Sequence, residues 1–373
     1  MKVTFWLLDL NYEAKAERPE ISIWGISASG ERILIIDRNM PSYFYAISKE
    51  ETEPVKLVEE IKEGDFPSIT KLEAVERKFF GRPVKAVKVY CNEPNAISEY
   101  AKEIRKLEDA KDCLEDDIRH AMRYLIDNNI VPCGWHEVEA TETDRISDIK
   151  TEKSYLAKTT PKLVEKTDAP KLRILGFSTI YYSHEGTPKP ERNPVVIIST
   201  ATNCGDQKQF MADEDRKDKH ILEEFMSHIQ EFDPDIIVGY GVNGQHWSYL
   251  TERCKKSGLH LYVDRTRAEP HTSVYSHVSL TWRTNLDLSD YIEEFQEIKV
   301  KTLENFADFL GVMKIEDRTT IEDIDIADYW DDKTKRETLR KYSMDNTRCI
   351  MGITDAVLDF ASQLSNLVGL PLD

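Results

Sequence analysis

The sequence contains 373 residues, a length that favours two domains over a single hydrophobic core. Its 40% hydrophobic residues suffice for globular folding, while a formal net charge of -18 excludes a protein that coats nucleic acid through a uniformly basic surface. No apolar run approaches the roughly 20 residues that a membrane-spanning helix needs, and the N-terminus has no secretory signal pattern. We therefore expect a cytoplasmic protein without a membrane partner.

Residues 1–136 predict a β-rich N-terminal domain with flanking helices. Strand-like alternation through residues 1–45 predicts an antiparallel sheet. The segments EPVKLVEEIKEG and AISEYAKEIRKL have apolar residues at helical spacing, and Gly64 stands where the first of these helices would end. The N-terminal domain should therefore combine a sheet with short amphipathic helices.

A basic strand lies between these two predicted helices. In VERKFFGRPVKAVKVYCNEP, Lys85 and Lys88 are interleaved with the aromatic residues Phe79, Phe80 and Tyr90. Because residues i and i+2 share one face of a strand, such a ribbon can offer cations and ring faces together to single-stranded nucleic acid. The alternative is a half-buried strand with a solvated, charged face, and the sequence leaves both open.

The rest of the chain predicts a linker followed by a second domain. Residues 137–170 are polar and lack clear periodicity, which favours a linker or insertion. Residues 171–373 place strands and helices in succession, and this order predicts an α/β domain with a mixed sheet. The fold class is therefore α/β, or α+β over the whole chain. An apolar stripe in the last helix is predicted to be core: Ile350, Ile353, Val357, Phe360, Leu364 and Leu367.

Several phrases, taken in order, resemble the archaeal B-family DNA polymerases. They include LDLNY, PSYFYAI, KFFGRPVKAVKVY, RYLIDNNIVP, LRILGF, DPDIIVGY, LRKYSM and LSNLVGLPL, and they span almost the whole chain outside residues 137–170. The resemblance implies an N-terminal domain at 1–136 and a ribonuclease-H-like 3′→5′ exonuclease domain at 171–373. The polymerase palm, fingers and thumb are absent from this sequence, so we expect that it cannot polymerise nucleotides by itself.

The resemblance also identifies an altered exonuclease site. Family members hold two divalent cations with four carboxylates, because hard cations need several anionic oxygens. Here Ser178 and Ile180 stand at the carboxylate positions of the first motif, and His246 and Asn346 stand at those of the second and third. Tyr342 of the third motif is retained. We expect no catalytic residue, no bound metal and no cofactor, with Mg²⁺ expected only at an intact site.

The same family implies a pocket for template uracil in the N-terminal domain. Its tyrosine, proline and aliphatic positions correspond to Tyr12, Pro41 and Ile97, and its arginine corresponds to Arg123. An aromatic position one turn before Arg123 is His120 here. Apolar walls, a stacking ring and a cation suit a flat base and its flanking phosphate. The alternative is that these residues are ordinary fold positions.

The leading functional hypothesis is a non-catalytic module of an inactivated family B polymerase. It would bind single-stranded or template DNA, sense uracil, or hold a replication or repair partner such as a polymerase catalytic portion. The alternatives are an active 3′→5′ exonuclease with unorthodox ligands and the N-terminal subunit of a split DNA polymerase. A further alternative is a protein-binding subunit that uses residues 137–170. Whether the chain is itself an enzyme stays open at this point.

Overall fold

The computed structural model describes residues 1–14, 19–144, 149–273 and 276–372. The chain divides into two compact units. Unit 1 comprises Met1–Ile146, Thr151–Ala169 and Asn366–Pro371, and unit 2 comprises Ser147–Lys150, Pro170–Ser365 and Leu372–Asp373. No helix in the described ranges combines the length and the apolarity that crossing a bilayer requires.

Unit 1 contains a small closed barrel. Five strands form it in the order β1, β2, β3, β9, β8, and β8 pairs back onto β1. Phe5, Leu7, Ile23 and Ile33 fill its interior, and Trp6, Trp24 and Leu34 next to them are also buried, on the other face of the strands. The strands of this sheet are β1 Lys2–Glu13, β2 Glu20–Ser27, β3 Arg32–Asp37, β8 Trp135–Thr143, β9 Lys153–Ala157 and β10 Lys162–Leu163, which extends β8.

Strands β8, β9 and β10 correct the expectation of a linker. All three fall largely within residues 137–170, and they are hydrogen-bonded members of the barrel sheet. Val138 and Ala140 alternate with glutamates along β8 and turn inward, so the segment is a half-buried strand with a polar outer face. Its high polarity comes from that outer face.

A second sheet is inserted in unit 1 between β3 and β8. Its strands lie in the order β5, β6, β4, β7, and two helices cover one of its faces. Leu57, Ile61 and Ile104 of those helices pack against Val87 and Val89 of β6. The elements are β4 Ser42–Ser48, α1 Pro54–Glu63, β5 Ile69–Phe79, β6 Arg82–Cys91, α2 Ile97–Ile104 and β7 Ala110–Leu114, followed by α3 His120–Asn128.

Unit 2 is built on the mixed sheet that the sequence predicted. Its strands lie in the order β13, β12, β11, β14, β17, with β11, β14 and β17 parallel. The strands are β11 Ile174–Tyr181, β12 Val195–Thr202, β13 Gln207–Met211, β14 Ile236–Gly239 and β17 Thr284–Asp287, besides the ribbon β15 His271–Thr272 and β16 Val278–Ser279. The helices are α4 Lys219–Phe232, α5 Trp247–Lys256, α6 Leu288–Ile292, α7 Leu303–Phe309, α8 Ile326–Asp331 and α9 Arg336–Val368.

Strand β11 sends alternate side chains to opposite sides of this sheet. Leu175 and Phe177 enter the core beneath α4 and α5, whereas Gly176, Ser178 and Ile180 face the other side. A Cβ at Gly176 would lie 2.7 Å from the Met351 sulfur, so glycine is what lets α9 approach the strand so closely. This approach fixes the surroundings of Ser178.

The last helix departs from its prediction at its C-terminal end. Ile350, Ile353 and Val357 are buried as expected, but Phe360 is 63% exposed and Leu367 is 82% exposed. Leu364 is likewise exposed. At 33 residues, α9 is roughly 50 Å long and continues beyond the core against which its first turns pack. Only the first half of the predicted stripe is core.

Candidate functional site

A cleft in unit 2 brings together the five positions identified with the exonuclease motifs. It encloses about 360 Å³, and its walls come from β11, the segment after β14, α7 and α9. Ser178 and Ile180 arrive on β11, while Tyr342 and Asn346 lie one turn apart on α9. His246 completes the set from the turn before α5. The spatial grouping expected from the resemblance is therefore present.

Ser178 and Ile180 are both buried, and the protein itself satisfies them. The Ser178 hydroxyl donates to the Ser343 carbonyl oxygen at 2.9 Å and lies 2.8 Å from the Thr347 hydroxyl. Ile180 is 3% exposed and packs in an apolar cluster with Trp330. Neither side chain offers a group that is available to a ligand.

His246 is held as a neutral imidazole. Its Nε2 lies 3.1 Å from the Tyr240 carbonyl oxygen and must carry the proton, because a carbonyl only accepts hydrogen bonds. Nδ1 is then the acceptor, and its single lone pair faces the hydroxyls of Thr179 at 2.8 Å and Tyr181 at 2.6 Å. Burial lowers the pKa of His246 to about 4, so the ring stays uncharged at neutral pH. Both ring nitrogens are engaged within the protein.

Asn346 is bound to an internal cation. The Arg318 guanidinium donates to the Asn346 Oδ1 and forms an ion pair with Glu304 at 3.2 Å. The Arg318 side chain is fully buried and the Glu304 side chain is 24% exposed, so the arginine depends on this carboxylate for compensation of its charge. The neighbouring Asp345 accepts from the Thr319 amide and pairs with Arg348, and it does not line the cleft. A guanidinium thus satisfies the asparagine that replaces a carboxylate.

These residues do not fit two divalent cations. The expected carboxylate positions hold a hydroxyl, an alkyl group, an imidazole and an amide, and the cleft carboxylate of Glu304 is neutralised by Arg318. Asp323 also lines the cleft, but on an exposed turn. Across the described ranges, no three His, Cys, Asp or Glu side chains converge as a metal site would require.

Unit 1 contains a second pocket, of about 300 Å³, at the start of α3. Tyr12, Ile97, His120 and Arg123 all line it, so four residues that the sequence assigned to a base pocket lie around one cavity. Pro41 is exposed and is not among the lining residues, although its neighbour Ser42 is. The pocket is completed by Tyr43, Pro94, Ser98, Asp116, Asp117, Ile118 and Arg119.

His120 is the most unusual side chain of this pocket. It is only 3% exposed, yet neither ring nitrogen has a hydrogen-bond partner within the described chain. Burial lowers its pKa to about 4, with Arg123 acting in the same direction, so the ring is neutral. The rings of Tyr12 and His120 pack edge to face, with their centres 5.8 Å apart. Buried polar groups are rarely left unpaired without a reason.

Arg123 and Tyr12 brace this pocket. The Arg123 guanidinium pairs with the Glu115 carboxylate at 2.9 Å and lies 4.1 Å from the centre of the Tyr43 ring. The Tyr12 hydroxyl donates to the Asn95 side chain at 2.9 Å. Arg123 is buried, so it supports the pocket wall more directly than it presents a free charge.

Known proteins similar to this chain identify its family. Residues 111–305, more than half of the chain, match the sequence family described as "DNA polymerase family B, exonuclease domain". The chain belongs to DNA polymerase family B. Among its relatives are DNA polymerase 2 of Aeropyrum pernix, 37% identical over 100% of this chain and 47% of that protein, and DNA polymerase 3 of Saccharolobus solfataricus, 31% identical over 99% and 47%.

A solved family B structure agrees with this assignment. The polymerase from Pyrobaculum calidifontis superposes with a TM-score of 0.92 at 37% identity, over 99% of this chain and 48% of that one. The chain therefore spans about half the length of the family B polymerases that it matches. The architecture expected from the resemblance is confirmed over that part.

Two lysines that the sequence grouped together are separated by the structure. Lys85 lies on the face of β6 that α1 covers and pairs with Glu53 at 2.5 Å. Lys88 lies on the opposite face, with its ammonium 3.6 Å from the centre of the Tyr43 ring. Residues three apart in a strand point to opposite sides. They cannot act as a single cationic patch.

Sequence reasoning missed three residues that shape these sites. Arg318 and Glu304 form the buried pair in the cleft, and Tyr43 joins the pocket to the second sheet of unit 1. A lone arginine within the acidic stretch IEDRTTIED was the available signal for a buried pair. No local pattern marks Glu304 as its partner, because the contact depends on the packing of α7.

Proposed function

We propose that this chain is the template-binding and exonuclease-like region of a family B polymerase, and that it binds single-stranded DNA without cleaving it. Unit 1 would capture a template base, with uracil as the preferred one, in the pocket around His120. Unit 2 would serve as a folded scaffold. We propose polymerase activity only for the longer proteins that this chain matches. In this chain, it would require a partner that contains the catalytic portion.

The observation that carries the DNA-binding part is the unpaired, buried imidazole of His120. A neutral imidazole provides one donor and one acceptor, and a base edge in a pocket is read through such groups. The start of α3 beside it also offers backbone amide donors. The N-cap residue Arg119 makes no side-chain hydrogen bond to the first turn of this helix. Ile97 and Tyr12 supply the apolar walls.

Binding of labelled oligonucleotides tests this proposal. A fluorescein-labelled 16-mer of deoxythymidine and the same strand with one central deoxyuridine would be titrated with the full chain, and anisotropy recorded. A pocket that excludes the thymine methyl group should favour the uracil strand about tenfold. His120→Leu should abolish that preference. Equal affinity of the wild-type chain for both strands would contradict the uracil pocket.

An exonuclease with unorthodox ligands is the second candidate, since Glu304, Asp323 and His246 share the cleft. The pairing of Glu304 with Arg318 opposes it, because a neutralised carboxylate is a poor ligand for a hard cation. An end-labelled single strand incubated with the chain in Mg²⁺ or Mn²⁺ should keep its full length. Shortening that disappears in both Glu304→Gln and His246→Ala would establish the nuclease instead.

A further inference from the structure

One face of the second sheet of unit 1 is free of α1 and α2, and α3 reaches its Tyr43 end, where Asp127 accepts from the Tyr43 hydroxyl. Its elements follow the order β4, α1, β5, β6, α2, β7, a β-α-β-β-α-β arrangement. Both helices pack on the side that carries Phe44, Val87 and Val89. The opposite side is therefore free of α1 and α2, and its side chains can be read from the strand register.

The register places aromatic and cationic side chains together on this opposite side. Tyr45 pairs with Lys88, and Tyr43 pairs with Tyr90 across β4 and β6. Residues directly opposite each other in an antiparallel pair lie on the same face. Arg77 of β5 joins them, donating to the Tyr45 hydroxyl at 3.3 Å. We call this set, Tyr43, Tyr45, Arg77, Lys88 and Tyr90, the tyrosine face.

The cations of the tyrosine face rest on its rings. The Lys88 ammonium lies 3.6 Å from the centre of the Tyr43 ring and 5.0 Å from that of Tyr90. The Arg77 guanidinium lies 5.3 Å from the Tyr45 ring centre. Within the described ranges, neither Arg77 nor Lys88 forms an ion pair with a carboxylate. Glu73 of β5 lies on the same face, where it accepts from the Tyr90 hydroxyl at 3.0 Å and pairs with Lys71 at 3.1 Å. Arg77 and Lys88, beside half-buried rings, remain a local excess of cations in a chain of net charge -18.

The face on the other side of the sheet has the opposite character. Lys85 is paired there with Glu53 of the loop before α1, and Val87, Val89 and Cys91 of β6 are apolar and buried. The same strand thus carries one cation that is neutralised and one that is kept against aromatic rings. The difference lies between the two faces and cannot come from the composition of the strand.

We propose that the tyrosine face is a binding platform for single-stranded DNA. Two bases would stack on the half-buried rings of Tyr45 and Tyr90, and the flanking phosphates would pair with Arg77 and Lys88. A four-stranded sheet whose aromatic residues stack successive bases, with cations along the backbone, is an established solution for single strands. Charge complementarity selects this occupant, since an acidic protein segment would use the cations and leave the rings without a role.

This platform rests on the proposed function of unit 1 and extends it. Tyr43 belongs to the tyrosine face and also lines the His120 pocket, so one side chain adjoins both. Phe79 lies two residues beyond Arg77 on the same side of β5, and Phe80 at the hairpin tip is 91% exposed. A strand that leaves the pocket can therefore follow β6 toward the hairpin tip.

Oligonucleotide titrations with variants of the full chain test the platform. The double variant Tyr45→Ala and Tyr90→Ala should bind the deoxythymidine 16-mer at least about tenfold more weakly, because each stacked base contributes substantially. The double variant Tyr45→Phe and Tyr90→Phe keeps the rings and should stay within about threefold of wild type. Lys88→Gln should lower the slope of log affinity against log salt by about 0.7. Tyr262→Ala, at an exposed tyrosine of unit 2, is the matched control.

The two proposals fail separately. If both double variants bind as wild type does, the platform is overturned, whatever the pocket does. If wild type shows no uracil preference but the alanine variant still weakens binding, the platform stands and the pocket fails. Tighter binding of a cytidine RNA 16-mer than of a deoxycytidine 16-mer, neither of which contains uracil, would overturn DNA as the occupant. No binding of any strand by wild type at low salt would overturn both.

Discussion

The cleft of unit 2 and the pocket of unit 1 differ in how their buried polar groups are satisfied. In the cleft, Ser178, His246 and Asn346 all find hydrogen-bond partners within the protein. In the pocket, His120 is buried, whereas His246 and Asn346 are partly exposed, yet it has no partner within the described chain. Since an unpaired buried polar group costs free energy, a site without a ligand should close its own hydrogen bonds. A site that keeps a ligand has a reason to leave one open.

This difference distinguishes two sites whose sequence changes look alike. Both sites depart from the pattern that the sequence resemblance implies, through Ser178, Ile180, His246 and Asn346 in one and His120 in the other. In the cleft the substitutions come with a hydroxyl network and the buried Arg318 guanidinium. In the pocket the substitution leaves a polar ring facing a cavity. Substitutions in the two sites should therefore change stability in different ways.

The largest effect is expected where a carboxylate is returned to the cleft. Ile180→Glu should lower the free energy of unfolding by about 3–5 kcal/mol, because the charge would be buried beside Trp330 and Tyr342. Burial raises the pKa of such a carboxyl group in the folded state, so the loss should be greatest at alkaline pH and shrink as pH falls. Urea unfolding at pH 8 and pH 5 would measure it.

Ile180→Gln is the matched control for that change. It has a similar shape without a charge, and its cost of about 2–3 kcal/mol should not depend on pH. An Ile180→Glu variant that is as stable as wild type, or that Mn²⁺ stabilises, would show that the cleft still accommodates a cation.

Acid destabilisation should come in part from His120. Its folded pKa of about 4 lies below the value of about 6.5 for an unfolded histidine, so the unfolded chain binds more protons between these values. Its contribution to stability is complete above pH 6.5 and is lost as pH falls, and the loss reaches about 3 kcal/mol at pH 4. The difference between wild-type and His120→Leu unfolding curves isolates this contribution. Parallel curves would contradict a buried neutral imidazole.

At neutral pH, removal of the unpaired imidazole should stabilise the protein. His120→Leu replaces a buried polar group without partners, and the gain should be about 1–2 kcal/mol. The same variant should lose its preference for uracil, so stability and binding would change in opposite directions. Thermal and urea unfolding at pH 7.5 measure the first effect. A destabilised variant would indicate that His120 is an ordinary structural residue.

The smallest effect has the opposite sign and belongs to the cleft. Ser178→Ala removes a hydroxyl that is bonded to the Ser343 carbonyl and to Thr347, and it should cost about 1 kcal/mol. Chemical denaturation at pH 7.5 would detect it. Ser178→Cys retains a weaker donor of similar shape and should fall between the two. If the alanine variant were more stable than wild type, Ser178 would be, like His120, a polar group available to a ligand.

Much of the fold could be predicted from periodicity. The helix that ends before Gly64 and the mixed sheet of unit 2 both follow from local patterns of apolar residues. The strands within residues 137–170 were not predicted, because their outward-facing residues are charged. Val138 and Ala140 nevertheless alternate as strand residues should. The last helix was overextended as core, since periodicity cannot report where the packing surface ends. Phe360 and Leu364 continue the stripe into solvent.

The candidate sites were predicted as groups of residues but not as environments. Ser178, Ile180, His246, Tyr342 and Asn346 do share one cleft, and Tyr12, Ile97, His120 and Arg123 share one pocket. The pairing of Lys85 with Lys88 failed for a reason that the sequence contains, because residues three apart alternate faces in a strand. Which of those faces the helices cover is not written locally.

The sequence by itself determined which chemical groups each site contains. At the four positions that the resemblance matches to the exonuclease motifs, the sequence holds no carboxylate in any fold. Only the tertiary structure decided which groups are satisfied. Ser178 meets its partner from 165 positions away, and Arg318 meets Glu304 through helix packing. Hydrogen bonding depends on distances of about 3 Å between atoms, and chain folding alone sets those distances for residues far apart in sequence.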